Sequence, residues 1–598
     1  MAQGIFFFFL FFQFKKFKSN IFSPDDTNTS YSADDPLAEM RSIIDRDIAR
    51  LEESIRALKS RRNELSPIAR LPVEILCNIF SLIEDNSIFY LGRSPKSWIN
   101  FSHVSRHWRS SALNAPELWT KIPLGYPRWA QEMLIRSKKA KLTIRSNFSL
   151  DELNPQIIKT VRSCLHEMNR VEEINLTVFP GLILEEVFWD LPKSAPQLHT
   201  LCIDSFHYSG TAFSIDKNFL YDTERLQCVE LINCKISWDS LLLTGLTRLT
   251  LEDSLQANSS IIDFLHALQR MPALTHLCLK DSIPDDSESS STYPVVDLPC
   301  LRILRMTFSI SSVGALTTVL RHITFPHIDL LNLTCRENQS TQIGFSNFLV
   351  IVTKLLLSSF VIRSLRLGAL NHLQTDGLRF DLWTAAIVQG CFPPPPVSAV
   401  SLIQLGLTWP CSPPPHNHAK ALTCAFDAMS LHFLTQLQIS NLDYIDSQTW
   451  VKTFGKLPRL ELVWVQSDAP LSFLEALVYK RKRSKRVSFR KLRSIYLEGT
   501  VFATSPRSVS IDMLLDCLME RCERKAEVQV LSLDDCYYIS SDDVKRLKEI
   551  VVEVNWDGIE QEISEDDSED DDSDGSTTTT SSSSSSSSSS EEMFSIMW

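Results

Sequence analysis

The densest group of cationic side chains in this sequence of 598 residues lies near residue 480. Six cations fall within seven positions: Lys480, Arg481, Lys482, Arg483, Lys485 and Arg486. Such a run can act as a nuclear import signal, and it can also hold the phosphate of a phosphorylated target through charge-assisted hydrogen bonds. A solvated loop is the third interpretation, and all three stay open at this point.

Residues with the spacing of a catalytic or metal site are not found. The sequence contains no GxxxxGK[ST] phosphate loop, no HExxH and no GxSxG. His416 and His418 stand close together but have no further ligand nearby. The 14 cysteines are scattered, without a CxxC pair, which is typical of reduced thiols in an intracellular protein and not of a zinc site. The sequence therefore predicts no catalysis, no metal and no cofactor.

The charge is concentrated at one end of the chain. Of the net charge of −12, the segment from Asp557 onward contributes 13 acidic residues and no lysine or arginine. The rest is close to neutral, so no nucleic-acid partner is expected. Residues 557–598, which include runs of Thr and Ser from Thr577 to Ser590, are predicted to be a disordered acidic and Ser-rich tail.

The opposite end is rich in phenylalanine. Ile5 to Phe14 is almost entirely apolar, but about ten residues cannot span a bilayer core that needs about twenty. Lys15, Lys16 and Lys18 follow this run, whereas a signal peptide would have its cations before it. Residues 1–36 are predicted to be a disordered extension, with a signal peptide or anchor as the alternative, and no membrane partner is expected.

Residues 37–66 have the periodicity of a helix with one apolar seam. Leucine or isoleucine recurs every seven residues, with two more members offset by four: Leu37, Ile44, Leu51, Leu58 and Leu65, then Ile48 and Ile55. This is a d/a seam of about four heptads, interrupted by Arg41 and Arg62 at the other a positions. Either a short coiled coil that dimerises or an amphipathic helix that packs on its own chain would explain the seam.

The next segment, SPIARLPVEILCNIFSLI, carries the signals of a helix start. Pro72 suits the first helical position, and Glu74 suits the positive end of the helix dipole. Leu71 would then be the N-cap, where Ser or Asp is better by about 1 kcal/mol, so an apolar residue there indicates contact with a partner. Helical spacing continues through Ile75, Leu76, Ile79, Phe80 and Ile83.

In this segment and a second run near residue 110, the sequence resembles the F-box, and more closely the F-box-like modules of fungal F-box proteins. The first half of that motif is matched by Leu71, Pro72, Glu74, Ile75, Leu76, Ile79 and Phe80. The second half is matched by Val104, Trp108, Arg109, Pro116, Leu118 and Trp119. Ser105 departs from the cysteine that many F-boxes have there.

The resemblance implies a small all-α module over residues 67–122 that binds a Skp-type adaptor of a cullin–RING ubiquitin ligase. It places Leu71, Pro72, Ile75, Ile79 and Phe80 in the adaptor interface. The alternative is that these residues are only the core of a small helical domain.

One pattern of three apolar residues recurs 13 times between residues 139 and 556. Two residues separate the first apolar position from the second, and one residue separates the second from the third. The copies begin at Val171, Leu198, Leu226, Leu246, Leu274, Leu301, Ile328, Ile362, Leu402, Leu434, Leu460, Leu492 and Val528. Each copy predicts a short strand with alternate residues in a core, and helical stretches such as Ile261–Arg270 separate the strands.

The early spacings of 27, 28, 20, 28, 27 and 27 residues resemble the irregular leucine-rich repeats of F-box proteins. That resemblance implies an α/β solenoid, or horseshoe, over residues 139–556, and an ordinary parallel α/β domain is the alternative. The function implied is a non-catalytic, cytoplasmic and/or nuclear adaptor that holds a target protein for ubiquitin transfer. A leucine-rich-repeat scaffold that recruits no ligase is the other hypothesis.

Overall fold

The computed structural model describes residues 36–88, 97–147, 155–178, 187–188, 190–205, 213–254, 259–284, 292–336, 362–372, 375–383, 402–410, 422, 426, 429, 431–440, 442, 445–466, 470–478, 487–502 and 509–561. The basic run from Lys480 to Arg486 and almost all of the predicted terminal extensions lie outside these residues. The described chain divides into two compact units. One contains the residues up to Pro123 and Arg128–Lys141, and the other contains Leu124–Pro127 and the residues from Leu142 onward.

The first unit is mainly helical. Its elements are α1 (Pro36–Glu64), a 3₁₀ turn (Pro67–Arg70), α2 (Val73–Ile88), a 3₁₀ turn (Ser97–His103), α3 (Arg106–Asn114), a 3₁₀ turn (Pro116–Trp119), β1 (Lys121–Pro123) and α4 (Pro127–Arg136). Helix α1 ends at Glu64, two residues before Ser66 and Pro67. The start of α2 differs by one residue from the prediction. The N–H of Leu76 donates to the carbonyl of Pro72 over 3.1 Å, so Pro72, and not Leu71, is the N-cap.

The second unit is built from short strands and helices. Its strands are β2 (Leu142–Asn147), β3 (Val171–Val178), β4 (Thr200–Ser205), β5 (Phe213–Ile215), β6 (Cys228–Ile232), β7 (Cys234–Ile236), β8 (Arg248–Glu252), β9 (His276–Lys280), β10 (Val296–Asp297), β11 (Ile303–Ser309), β12 (Ile323–Thr324), β13 (Leu330–Arg336), β14 (Ser364–His372), β15 (Thr375–Trp383), β16 (Leu402–Pro410), β17 (Gln436–Ser440), β18 (Leu462–Gln466), β19 (Ser494–Glu498), β20 (Val530–Asp534) and β21 (Glu553–Trp556). Its helices are α5 (Pro155–Leu165), α6 (Ile261–Gln269), α7 (Val313–His322), α8 (Ser447–Thr453), α9 (Pro470–Val478), α10 (Ile511–Glu523) and α11 (Ser541–Lys548).

Most of these strands pair into one sheet. Along it the strands follow the order β2, β3, β4, β6, β8, β9, β11, β13, β16, β15, β14, β17, β18, β19, β20, β21. Every neighbouring pair in this order is parallel except the two that involve β15. Two further parallel pairs, β5 with β7 and β10 with β12, lie outside the main sheet.

The register of the sheet aligns the apolar positions of the predicted copies except in β16, which is displaced by two residues, so that Leu331 pairs with Ile403 and Leu405 pairs with Leu333. Each of the 13 copies coincides with one strand of the main sheet. Across successive strands, one buried row is formed by Leu201, Val229, Leu249, Leu277, Leu304 and Leu331. Stacking the strands side by side therefore buries apolar side chains that a single strand could not bury alone.

A repeated turn follows several of these strands. The residue just after β6, β8, β9 and β20 has a positive φ and is Asn233, Asp253, Asp281 or Asp535, types that tolerate the left-handed conformation. The next residue is small, and in three of the four turns it bonds back to the preceding strand of the sheet. Ser254 Oγ donates to the Leu231 carbonyl over 2.8 Å, and the Sγ atoms of Cys234 and Cys536 lie 3.7 Å and 3.5 Å from the carbonyl oxygens of Ile203 and Leu497.

Three strands of the main sheet fall outside the 13 predicted copies, and the first of them, β2, precedes the first copy. β15 is inserted antiparallel between two of the copies, and β21 follows the last one. The second unit also continues past residue 556, where the solenoid was predicted to end. Tyr538 N donates to the carbonyl of Gln561 over 2.8 Å, and Asp535 N donates to Asp557 Oδ2 over 2.8 Å.

Candidate functional site

The first two turns of α2 present an apolar row to solvent. Pro72 and Ile75 are exposed, and Leu71 and Ile79 are half-buried. Leu82, seven residues after Ile75 and so on the same side of the helix, is 62% exposed. Four of the five residues assigned to the adaptor interface by the sequence thus lie together, in whole or in part, at the surface of this unit.

Phe80, the fifth of these residues, occupies a different environment. Its side chain is fully buried, stacked on Phe101 with ring centroids 4.1 Å apart and 5.2 Å from the ring of Trp108. Leu76 is buried on the same side of α2. This burial corrects the expectation of an outward Phe80, because the contacts that it makes are those of a core residue. Phe80 supports the exposed row from beneath.

The second half of the motif builds this core. Trp119 is fully buried, and its indole Nε1 donates to the Ala112 carbonyl over 2.8 Å. The Arg136 guanidinium lies 4.5 Å from the Trp119 ring centroid, a cation–π contact. Trp129 closes the cluster with its ring centroid 6.0 Å from that of Trp119. The orientation of α2 therefore depends on residues that follow it by about 20 to 60 positions along the chain.

Ser105 has a defined local role. It is the N-cap of α3, and its side-chain oxygen accepts a hydrogen bond of 3.1 Å from the backbone N–H of Trp108. One of the otherwise unpaired amide groups at the start of α3 is satisfied in this way. The departure from cysteine at this position thus strengthens the start of the helix that carries Trp108.

The thiol of Cys77, on α2, is not activated by its surroundings. Burial raises the pKa of the Cys77 thiol, and the carboxylates of Glu117 and Glu74 raise it further. The thiol consequently stays protonated at neutral pH and is a poor nucleophile. Among the described residues, no group of three or more His, Cys, Asp and Glu side chains could hold a metal ion.

Three exposed apolar side chains of this unit were not among the residues assigned to the adaptor interface. Leu82 was missed by the sequence analysis, although its spacing from Ile75 and Ile79 is the signal that would have found it. Val73 at the start of α2 is 43% exposed and Val104 is 57% exposed. In the described part of the chain, no helix has the length and apolarity that crossing a bilayer requires.

Comparison with known proteins bears on this module alone. A family model described as F-box-like matches residues 68–124. No curated protein matches the chain. The matched stretch runs from the 3₁₀ turn before α2 to the residue after β1, so it includes the exposed row and also Phe80, Phe101, Trp108 and Trp119 beneath it. Residues 68–124 therefore form an F-box-like domain, which supports a general role in an SCF-type ubiquitin ligase.

Proposed function

We propose that this chain is a substrate-recognition adaptor of an SCF-type cullin–RING ubiquitin ligase. The proposal rests above all on one observation, the exposed row of Pro72, Ile75 and Leu82 on a helix whose other side is fixed by Phe80. The F-box-like match over residues 68–124 supports a Skp-type adaptor as the protein that covers this row.

The exposed row has the properties of a docking surface. A unit this small has little core of its own, so leaving several large apolar side chains in water lowers its stability and solubility without benefit. Because Phe80 and Leu76 hold α2 in place, the row is already ordered before a partner arrives. Because the row is ordered before binding, less conformational entropy is lost when the partner binds. Apolar residues at the centre of an interface are also typical hot spots.

For the second unit, we propose an irregular leucine-rich-repeat solenoid over residues 139–556 that binds the target. The support is the common register of the strands from β4 to β13 and the repeated turn at Asn233, Asp253, Asp281 and Asp535. In such a sheet, the residues between the buried apolar positions face outward and are free to differ from strand to strand.

The outward row of the sheet changes character along its length. In register across β4 to β13 it contains Cys202, Glu230, Thr250, Cys278, Arg305 and Asn332. Asp204 lies near the acidic end, where burial raises its pKa and the carboxylates of Glu252 and Glu230 raise it further. This part of the sheet would therefore favour basic groups on a target.

A second part of the same row is aromatic. Trp464 and Tyr496 are neighbours on β18 and β19, with ring centroids 5.6 Å apart. The indole Nε1 of Trp464 donates to Glu498 Oε2 over 2.8 Å, which holds the ring in place. Aromatic side chains fixed on a strand are well suited to anchor a bound protein. We propose this pair as the centre of target binding.

In this function the chain itself performs no catalysis. The second unit binds the target, and the F-box-like domain binds the ligase. Because one polypeptide joins the two, the ubiquitin carrier acts on the target at a high effective concentration. The basic run from Lys480 to Arg486 remains a predicted nuclear import signal or phosphate-binding patch.

Binding to a purified Skp-type adaptor tests the proposal. Replacing both Leu71 and Pro72 by Ala is expected to weaken binding by about 2 kcal/mol, roughly thirty-fold, if both are interface hot spots. Ile75→Asp should abolish binding, whereas the matched control Ile135→Asp, on an exposed isoleucine of α4, should bind normally. Unchanged binding by Ile75→Asp would favour the alternative, a protein-interaction scaffold without a ligase.

The same Ile75→Asp chain also tests target binding. A full-length adaptor that cannot reach the ligase should accumulate its targets, which affinity purification from cells would then identify. Combining Ile75→Asp with Trp464→Ala and Tyr496→Ala should release those targets. Retention of the same targets by the combined variant would exclude the aromatic pair as the anchor.

A further inference from the structure

Helix α1 carries an exposed apolar seam that its own unit does not cover. The seam residues Leu37, Ile44, Ile48, Leu51, Ile55, Leu58 and Leu65 are each between 48% and 74% exposed. Contiguous apolar surface of this length is unusual on a soluble protein and marks a site of association. The prediction that α1 packs on its own chain is not met within the described residues, because the seam is turned outward.

The polar side of α1 faces the rest of the unit. Glu53 lies 3.6 Å from the guanidinium of Arg106 at the start of α3. Arg56, Ser60 and Asn63 line a groove of about 340 Å³ together with residues of the turn before α3 and of α3 itself. At about 100° per residue these positions lie on the side of the helix away from Leu51, Ile55 and Leu58. A second chain can therefore approach the seam without displacing any of these contacts.

The sequence of the seam favours a second copy of α1 as the occupant. A spacing of seven with members at both a and d is the pattern by which two α-helices pack knobs into holes. The flanking charges are divided along the helix. Asp45 and Asp47 flank the seam in its first half, and Lys59 and Arg61 flank it at equivalent positions in its second half.

This division of charge selects one orientation. In a parallel pair Asp47 would lie beside Glu52 of the second copy, and Arg41 and Arg62 would each meet their own copies in the seam. In an antiparallel pair with Ile55 level with Leu51 of the second copy, Asp45 meets Lys59, and Asp47 meets Arg61, on both sides.

The remaining charges are tolerated in the antiparallel arrangement. Arg62 then lies opposite Ile44 of the second copy, where its aliphatic stem can pack while its head reaches water. Glu52 meets its own copy at the centre, and each Glu52 is already paired with Arg56 over 2.9 Å within its own helix. Residues 42–64 of both helices overlap in this register, a length of about 35 Å at about 1.5 Å per residue.

We propose that α1 forms an antiparallel two-stranded coiled coil with α1 of a second copy of this chain. The dimer presents two F-box-like domains, one from each copy, and so doubles the valence of the particle for the adaptor and for the target. The proposal does not depend on ligase recruitment, because it uses residues of α1 and none of the α2 row.

The mass of the full chain in solution, measured by light scattering or sedimentation over a range of concentrations, tests the dimer. The wild type should be a dimer that dissociates on dilution, and Leu51→Asp with Ile55→Asp should be monomeric. The matched control, Arg50→Asp with Ala57→Asp, adds the same two carboxylates to α1 outside the seam and should remain dimeric. A wild type that is monomeric at all concentrations overturns the proposal. A dimer that appears only after residues 1–35 are removed also overturns it, because the Phe-rich segment would then be the natural cover.

A single charge reversal tests the orientation. Asp47→Lys places like charges against Arg61 in the antiparallel dimer, so its dissociation constant should rise about five- to ten-fold. In a parallel dimer the same change would pair Lys with Glu52 and tighten the complex. Adding Arg61→Asp should restore wild-type affinity. Tightening by Asp47→Lys, or failure of Arg61→Asp to restore the affinity, contradicts the antiparallel arrangement.

Discussion

Phe80 lies flat on Phe101, with ring centroids 4.1 Å apart and an interplanar angle of 7°. The two residues are separated by about 20 positions in the chain, and their contact joins α2 to the turn that precedes α3. Ile79, the neighbour of Phe80, is half-buried on another side of the helix. One turn of α2 thus contains both the residues that stabilise the module and those available to a partner.

Truncating Phe80 should separate stability from binding. Phe80→Ala is expected to destabilise the module by about 3–5 kcal/mol, because it leaves a cavity against Phe101 and Trp108. Hydrogen exchange of the α2 and α3 amides in the full chain would show this as a large loss of protection. Ile75→Ala, at an exposed site on the same helix, should leave protection within about 0.5 kcal/mol of wild type. Equal loss of protection in both variants would contradict the division of roles.

Removing the cap of α3 should have a smaller, local effect. Ser105→Ala leaves the N–H of Trp108 without its 3.1 Å acceptor and is expected to cost about 1 kcal/mol. Hydrogen exchange should increase most at the first turn of α3. Ser105→Asp retains an acceptor at the N-cap and should restore the protection. If Ser105→Asp exchanged as fast as Ser105→Ala, the hydrogen bond would not be the cause.

The strands were predictable because each copy buries its own apolar residues. Leu249 and Leu277 lie opposite each other in the sheet because each is the middle apolar residue of its copy, so a shared pattern implies a shared register. Strand β21 could also have been predicted from the sequence, because Val551, Val554 and Trp556 repeat the same spacing. β15 contains the alternation Leu378, Phe380 and Leu382, but alternation has no direction. Its antiparallel insertion therefore could not be read from the sequence.

The sequence predicted that the candidate site is a helix, but not which side of that helix is exposed and which is buried. Ile75, Leu76, Ile79 and Phe80 are all apolar at helical spacing, and nothing in these residues tells the outer side from the inner side. The inner side is determined by where Phe101 and Trp108 pack, which is a tertiary relationship. The outward direction of the α1 seam is also a tertiary relationship, because Glu53 on the polar side of α1 forms an ion pair with Arg106.

Arg521 in α10 joins a helix to a turn within the body. Its side chain is buried and donates to the carbonyls of Ser488 and Phe489 over 3.1 Å and 3.0 Å, and burial lowers its pKa to about 10. Arg521→Met keeps much of the volume but leaves these carbonyls unpaired, and we expect a loss of about 2 kcal/mol in unfolding free energy. Arg524→Met, which removes a partly exposed ion pair with Glu520, should cost well under 1 kcal/mol. Urea denaturation of the full chain compares the two, and a neutral Arg521→Met would show that the hydrogen bonds contribute little.

Two buried thiols should make the body less stable in alkali. Burial raises the pKa of Cys164 and of Cys517 to about 12 in each case, from an ordinary value of 9.0. Between these values the unfolded chain loses protons that the folded chain keeps, so the stabilisation is complete below about pH 9 and is lost as the pH rises toward 12. At pH 10 each thiol should lower the unfolding free energy by about 1.4 kcal/mol. Urea midpoints measured in reductant at pH 8 and pH 10 would show the decline. Cys164→Ala with Cys517→Ala should reduce it, leaving the part due to Cys536, whose pKa burial raises to about 11. Cys300→Ala with Cys522→Ala, at two exposed cysteines, should leave the decline unchanged. An alkaline decline of the same size in both double variants would mean that other groups cause it.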